Sequence, residues 1–135
     1  MSVALPTLGI LKQITTAASR KKIAGIDVVG PWGSAKTLLA VQAAEALERP
    51  LLIVAPGRIE AEGIHDDLGA FVGEDRCALF PAWEVLPTDT MSPADDIVAE
   101  RMNTLKRLAA AQDEGHPLHT VIPVRALLQQ VVGRK

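Results

Sequence analysis

Gly30, Gly33, Ser34, Ala35, Lys36 and Thr37 are the residues of this chain whose order could do phosphate chemistry. The stretch Gly30-Pro31-Trp32-Gly33-Ser34-Ala35-Lys36-Thr37 follows the phosphate-loop pattern G-x-x-x-x-G-K-[ST], except that Ala35 stands at the second glycine. In such a loop backbone N–H groups cradle the phosphates, the lysine reaches the terminal phosphates, and the Ser/Thr hydroxyl ligates magnesium. A Cβ at position 35 intrudes on phosphate space and gives up glycine's freedom at positive φ, a cost of about 1 kcal/mol before any clash with ligand. Lys36 and Thr37 are retained. The residues therefore read as a degenerate phosphate loop, with ATP and magnesium bound weakly or not at all and no catalytic residue expected.

No second acidic motif, a buried strand ending in a magnesium-holding Asp, completes the site. Asp113-Glu114-Gly115-His116 has the letters of a DExH box but follows Ala109-Ala110-Ala111-Gln112 and precedes Pro117, the setting of a helix-to-strand turn with glycine near the cap. His65, His116 and His119 lack metal-ligand spacing and Cys77 is a single cysteine in an apolar run, so no metal site and no internal disulfide is expected. A reduced, cytoplasmic setting fits that lone thiol. Trp83, in a proline-bracketed loop, is expected to pack that loop onto the sheet, and Trp32 to fill space beside the phosphate loop. Arg20-Lys21-Lys22 reads as a solvated helix end that complements the dipole. Arg125, at the head of the last helix, could pair with an acid or meet a neighbouring domain.

Short apolar runs alternate with segments of helical period, which is the pattern of β/α units around a parallel sheet. Four runs are expected as central strands: Ile26 to Val29, Leu51 to Val54, Cys77 to Phe80 and Thr120 to Ile122. The helices between them carry apolar stripes, Ile64, Leu68, Phe71 and Val72 on one, Val98, Met102, Leu105 and Ala109 on the next, Val124, Leu127, Leu128 and Val131 on the last. An amphipathic helix from about Leu8 to Arg20 precedes the first strand, so that residues 1–22 and 23–135 divide into a leading helix and four β/α units. Ser92-Pro93-Ala94-Asp95 reads as a helix start, with Ser92 as the cap, and Phe80 to Met91 as a surface loop.

The chain has 135 residues, one domain's worth, with 48% hydrophobic and 22% charged residues. Its net charge of −2 gives no general attraction to DNA. No apolar stretch approaches the roughly 20 residues of a membrane span, and Met1 to Ile10 lack the charged start of an export signal.

Three strings carry a family resemblance: Phe80-Pro81-Ala82-Trp83-Glu84-Val85-Leu86-Pro87, Ser92-Pro93-Ala94-Asp95-Asp96-Ile97-Val98-Ala99-Glu100-Arg101, and Pro123-Val124-Arg125-Ala126-Leu127-Leu128-Gln129. From about Gly25 to the end the chain resembles the amino-terminal region of the bacterial transcription-repair coupling factors (Mfd). That region is similar in turn to the first domain of the excision-repair helicase UvrB, whose phosphate loop and following motif align with Gly30 to Thr37 and with Ala55-Pro56-Gly57-Arg58. The resemblance implies a P-loop NTPase-like parallel sheet that is the first part of a discontinuous domain. It implies a large protein that recognises stalled RNA polymerase, moves on DNA with a distant ATP-dependent motor, and recruits UvrA through its UvrB-like module. The fragment itself is then expected to be a structural and protein-interaction module, able to dimerise and contacting DNA only weakly. UvrB's tyrosine-rich hairpin has no counterpart here, since the chain contains no tyrosine, so lesion recognition is not expected. The alternatives are a functional ATP-binding fragment of a DNA helicase, and a small kinase, for which the acidic and arginine lid residues are missing.

Overall fold

The computed structural model describes residues 9–20, 25–85 and 92–131. Helix α1 (Leu11–Ala18) comes first, and residues 25–32, without regular structure, lead into helix α2 (Ala35–Ala46). Strand β1 (Leu52–Ala55), helix α3 (Arg58–Val72), strand β2 (Cys77–Leu79), helix α4 (Asp95–Glu114), strand β3 (His119–Pro123) and the short helix α5 (Val124–Leu127) follow. The strands form a parallel sheet in the order β1-β3-β2, with Ile53 opposite Val121 and Ala78 opposite Thr120.

Being last in sequence but central in space, β3 is buried along its whole length. Parallel strands of this kind need a helical cover on both faces. Val41 of α2, Ala61 and Leu68 of α3, and Ala55, Cys77 and Val121 of the sheet form the core on one face. Phe80, Ile122 and Ala126, with Leu105 of α4 against them, form a smaller core on the other. Glycines end two helices where the backbone turns left-handed, Gly73 after α3 and Gly115 after α4. The left-handed Gly115 puts Asp113 and Glu114 in the last turn of α4, the helix end that the sequence suggested.

Several expectations are corrected. Residues 26–29 are no strand: they lie exposed outside the sheet, and Asp27 interrupts an apolar run too short to be held by its own pattern. Three strands rather than four therefore stand among the described residues, and β1 and β2 are edges. Helix α4 begins after Ala94, not at a Ser92 cap, and its first turn carries Asp95 and Asp96 against the helix dipole. Its most buried positions are Ile97, Arg101 and Thr104, one step round from the expected stripe. The start of the Phe80 to Met91 connection is packed, since Phe80 and Pro81 are buried; Leu86 to Met91 lie outside the described residues. Helix α5 is a single turn, and Val124, Leu127, Leu128 and Val131 are exposed.

Candidate functional site: the loop before helix α2 and the Arg101 fastener

The loop needs two tight reversals to enter α2, and glycine supplies both, Gly30 at φ 112° and Gly33 at φ 52°. Ala35 is not at a left-handed position; it is the first residue of α2, so the expected conformational cost of its Cβ is absent. The consequence lies in the donors. The Ala35 N–H donates to Trp32 O at 3.1 Å and the Lys36 N–H to Gly33 O at 3.3 Å, so two amides that would face a phosphate bond the loop's own carbonyls. Trp32 fills no space beside the loop, being 88% exposed.

Asp67, on α3, reaches across to the loop. Ser34 Oγ donates to Asp67 Oδ1 at 2.8 Å and Thr37 Oγ1 to Asp67 Oδ2 at 3.5 Å. Packing of α3 against α2 sets that approach, because Leu68, the next residue, is fully buried in the shared core. The cleft between loop, β1 and α3 has a volume of about 550 Å³; Lys36 faces it together with the acids Glu60 and Asp67. Sequence reasoning missed Asp67. Its place in Asp66-Asp67 reads as a solvated face, and only its position one residue before a core leucine could have hinted at a role.

The three family-bearing strings meet at one buried side chain. Arg101 is 1% exposed, and its guanidinium lies 4.2 Å from the Phe80 ring and 4.3 Å from the Trp83 ring. It donates to Pro81 O at 2.6 Å and, at 3.5 Å, to Gln129 Oε1. Gln129 in turn brackets Trp83, accepting from its N–H at 2.6 Å and donating to its carbonyl at 3.1 Å. Burial pushes the Arg101 guanidinium below its ordinary pKa, a cost that the two rings and the oxygen acceptors offset. Trp83 thus packs its loop, as the sequence suggested, but through a cation. A lone arginine on a helix reads as solvent-facing, although its spacing from Ile97 and Thr104 places it on the buried face. Arg125 is exposed.

A second polar group joins α2 to the sheet. His119 is fully buried, with Nδ1 accepting the Leu51 N–H at 3.2 Å and Nε2 lying 3.0 Å from Glu45 Oε1. The same oxygen takes Arg76 at 2.6 Å. Burial raises the Glu45 carboxyl, but hydrogen bonds from Arg76 and His119 and the charge of Arg76 outweigh it, leaving the group below its ordinary value.

Among the described residues no helix is long and apolar enough to cross a membrane. The fold and the loop define a parallel α/β unit with a phosphate-loop-like sequence before its second helix. No protein-family model matches the chain. It is 41% identical over 98 residues, 70% of its length, to the transcription-repair-coupling factor of Mycobacterium tuberculosis. The Escherichia coli factor of the same name is 32% identical over 99 residues, 73% of the chain, and the Haemophilus influenzae factor 30% identical over 118 residues, 87% of it. The chain belongs by sequence to the transcription-repair coupling factor family. It spans 8–10% of the length of these relatives.

Proposed function

We propose that the chain is a structural and protein-interacting part of a transcription-repair coupling factor, carrying a phosphate loop that no longer serves a nucleotide. In the full-length protein the module would help bring UvrA, an excision-repair protein, to stalled RNA polymerase in the cytoplasm. DNA would be handled by a distant ATP-dependent motor, and this part would not itself be an enzyme. The observation that carries the loop reading is Asp67. A carboxylate seated on both Ser34 and Thr37 puts negative charge where phosphate oxygens would approach, and a second anion at about 4 Å is opposed by about 4 kcal/mol near a protein surface. The Ala35 and Lys36 amides bound within the loop remove two donors that could compensate.

A second reading, a live ATP-binding fragment of a DNA helicase, draws on the same contact. An acid beside the threonine hydroxyl of a phosphate loop could instead steady magnesium. Calorimetry separates the two. The native chain should bind Mg-ATP with a Kd weaker than about 100 micromolar, less than about 5.5 kcal/mol of binding free energy. Asp67→Asn, alone or with Ala35→Gly, should tighten binding of ATP and of inorganic phosphate, while Lys36→Ala in the native background changes little. Low-micromolar binding by the native chain that Asp67→Asn or Lys36→Ala destroys would establish the magnesium-supporting reading instead.

A further inference from the structure

We propose that His65, Glu74 and Cys77 form a binding site for one zinc-class divalent cation. The three residues come from three neighbouring pieces of the fold: α3, the single 3-10 turn Glu74–Arg76 that follows it, and the first position of β2. One ligand atom from each, an imidazole nitrogen, a carboxylate oxygen and a sulfur, lies within 4.8 Å of the other two. The Cys77 sulfur and His65 Nε2 are 3.7 Å apart. A tetrahedral ion with bonds of about 2.3 Å to sulfur and about 2.05 Å to nitrogen separates those two atoms by about 3.6 Å, so both can ligate one ion with little movement.

The surroundings are arranged for the third ligand. Gly69 lies one helical turn beyond His65, and a Cβ there would collide with the Glu74 carboxylate. The missing side chain is what lets that carboxylate fold over α3 toward the cysteine. Arg107, from α4, pins the turn that carries Glu74 by donating to Glu74 O at 3.1 Å and Asp75 O at 3.0 Å. Glu74, Asp75 and Glu100 act electrostatically on Cys77 or His65, and Arg107 opposes them, so acids outnumber cations around the site. Glu74 is exposed and His65 half-buried, which leaves an entrance from solvent, while Cys77 closes the inner end.

Thiolate, imidazole and a single carboxylate form a borderline-soft donor set, suited to zinc and unsuited to magnesium or calcium, which take oxygen ligands. Coordination replaces the Cys77 thiol proton, which leaves to solvent, and three protein ligands leave one position for water. In the ion's absence the same atoms can make an ordinary contact between thiol and imidazole, so the test must read the metal itself.

The full chain, stripped with a chelator under reducing conditions, is titrated with Zn²⁺ alone by calorimetry and with Co²⁺ by optical absorption. One ion per chain, bound with a Kd below about 10 micromolar, is expected, with a thiolate-to-cobalt charge-transfer band that Cys77→Ser removes. Glu74→Gln, at an exposed position that does not endanger folding, should weaken Zn²⁺ by about tenfold or more, as should His65→Gln, whereas Asp75→Asn changes it by less than about threefold. Zn²⁺ should also raise the melting temperature of the native chain but not of Glu74→Gln. Binding weaker than about 100 micromolar, a cobalt complex with no sulfur band, or Zn²⁺ affinity indifferent to Glu74→Gln would overturn the proposal.

Discussion

Glu45 shows how one surface-facing carboxylate can govern a buried contact. It meets the buried ring of His119 at Nε2, and it accepts Arg76 on the same oxygen. Its folded-state pKa lies below the ordinary 4.5. A group depressed in this way contributes stability that is complete above the unfolded value and is lost as pH falls through the lower folded value. Urea unfolding of the native chain should therefore weaken below about pH 4.5 more steeply than that of Glu45→Gln, whose stability deficit should shrink over the same acid range. Parallel acid limbs for the two proteins would mean the carboxylate carries no linkage. Asp67, on α3, also bonds across to another element, to Ser34 just ahead of α2 and to Thr37 within it.

At the scale of elements, Arg101 fastens α4 to two segments that are not neighbours in sequence. The chain from Phe80 to Trp83 leaves β2, and Gln129 follows α5; both are tied to the guanidinium. Thr104 adds a bond from its hydroxyl to Leu79 O at 2.8 Å, on the same face of α4. Arg101→Ala should cost about 3 kcal/mol of stability, from a buried carbonyl left without its charged donor and the space beside two rings. Arg101→Lys should recover little of it, because a compact ammonium cannot lie flat over the Phe80 and Trp83 rings as the planar guanidinium does. Denaturant midpoints measure both variants, and Trp83 fluorescence should shift to a more solvated emission in each. A loss below about 1 kcal/mol for Arg101→Ala would show that the rings close on their own.

For the molecule as a whole, the apolar surface is unevenly distributed. Leu52 and Val54 on β1 are 57% and 47% exposed, at a sheet edge, and Leu127, Leu128 and Val131 lie exposed around α5. A cleft of about 360 Å³ between them is lined by Leu52, Leu105, Leu108, Ile122 and Leu127. An edge strand beside apolar side chains invites pairing with another chain. Sedimentation should therefore show association that grows with protein concentration and is reduced by Leu52→Lys and by Leu128→Lys. A monomer at high concentration in both native and variant chains would mean that the exposed residues are tolerated singly.

The sequence by itself determined the β/α alternation, the runs that became β1, β2 and β3, and the glycine that stops α4, because these depend on local periodicity and backbone freedom. It also determined the family, through strings whose shared meaning was not visible in it. Arg101 draws those strings together only after α4 has rotated a cation onto its buried face. Tertiary structure alone decided that residues 26–29 stay outside the sheet, since a short run containing Asp27 joins a strand edge only if packing compensates its charge. Proximity decided the rest. Asp67 is 33 residues from Ser34 along the chain, and Cys77 is 12 from His65. Spacing cannot express such pairs, because what joins them is the packing of α3 against α2 on one side and β2 on the other.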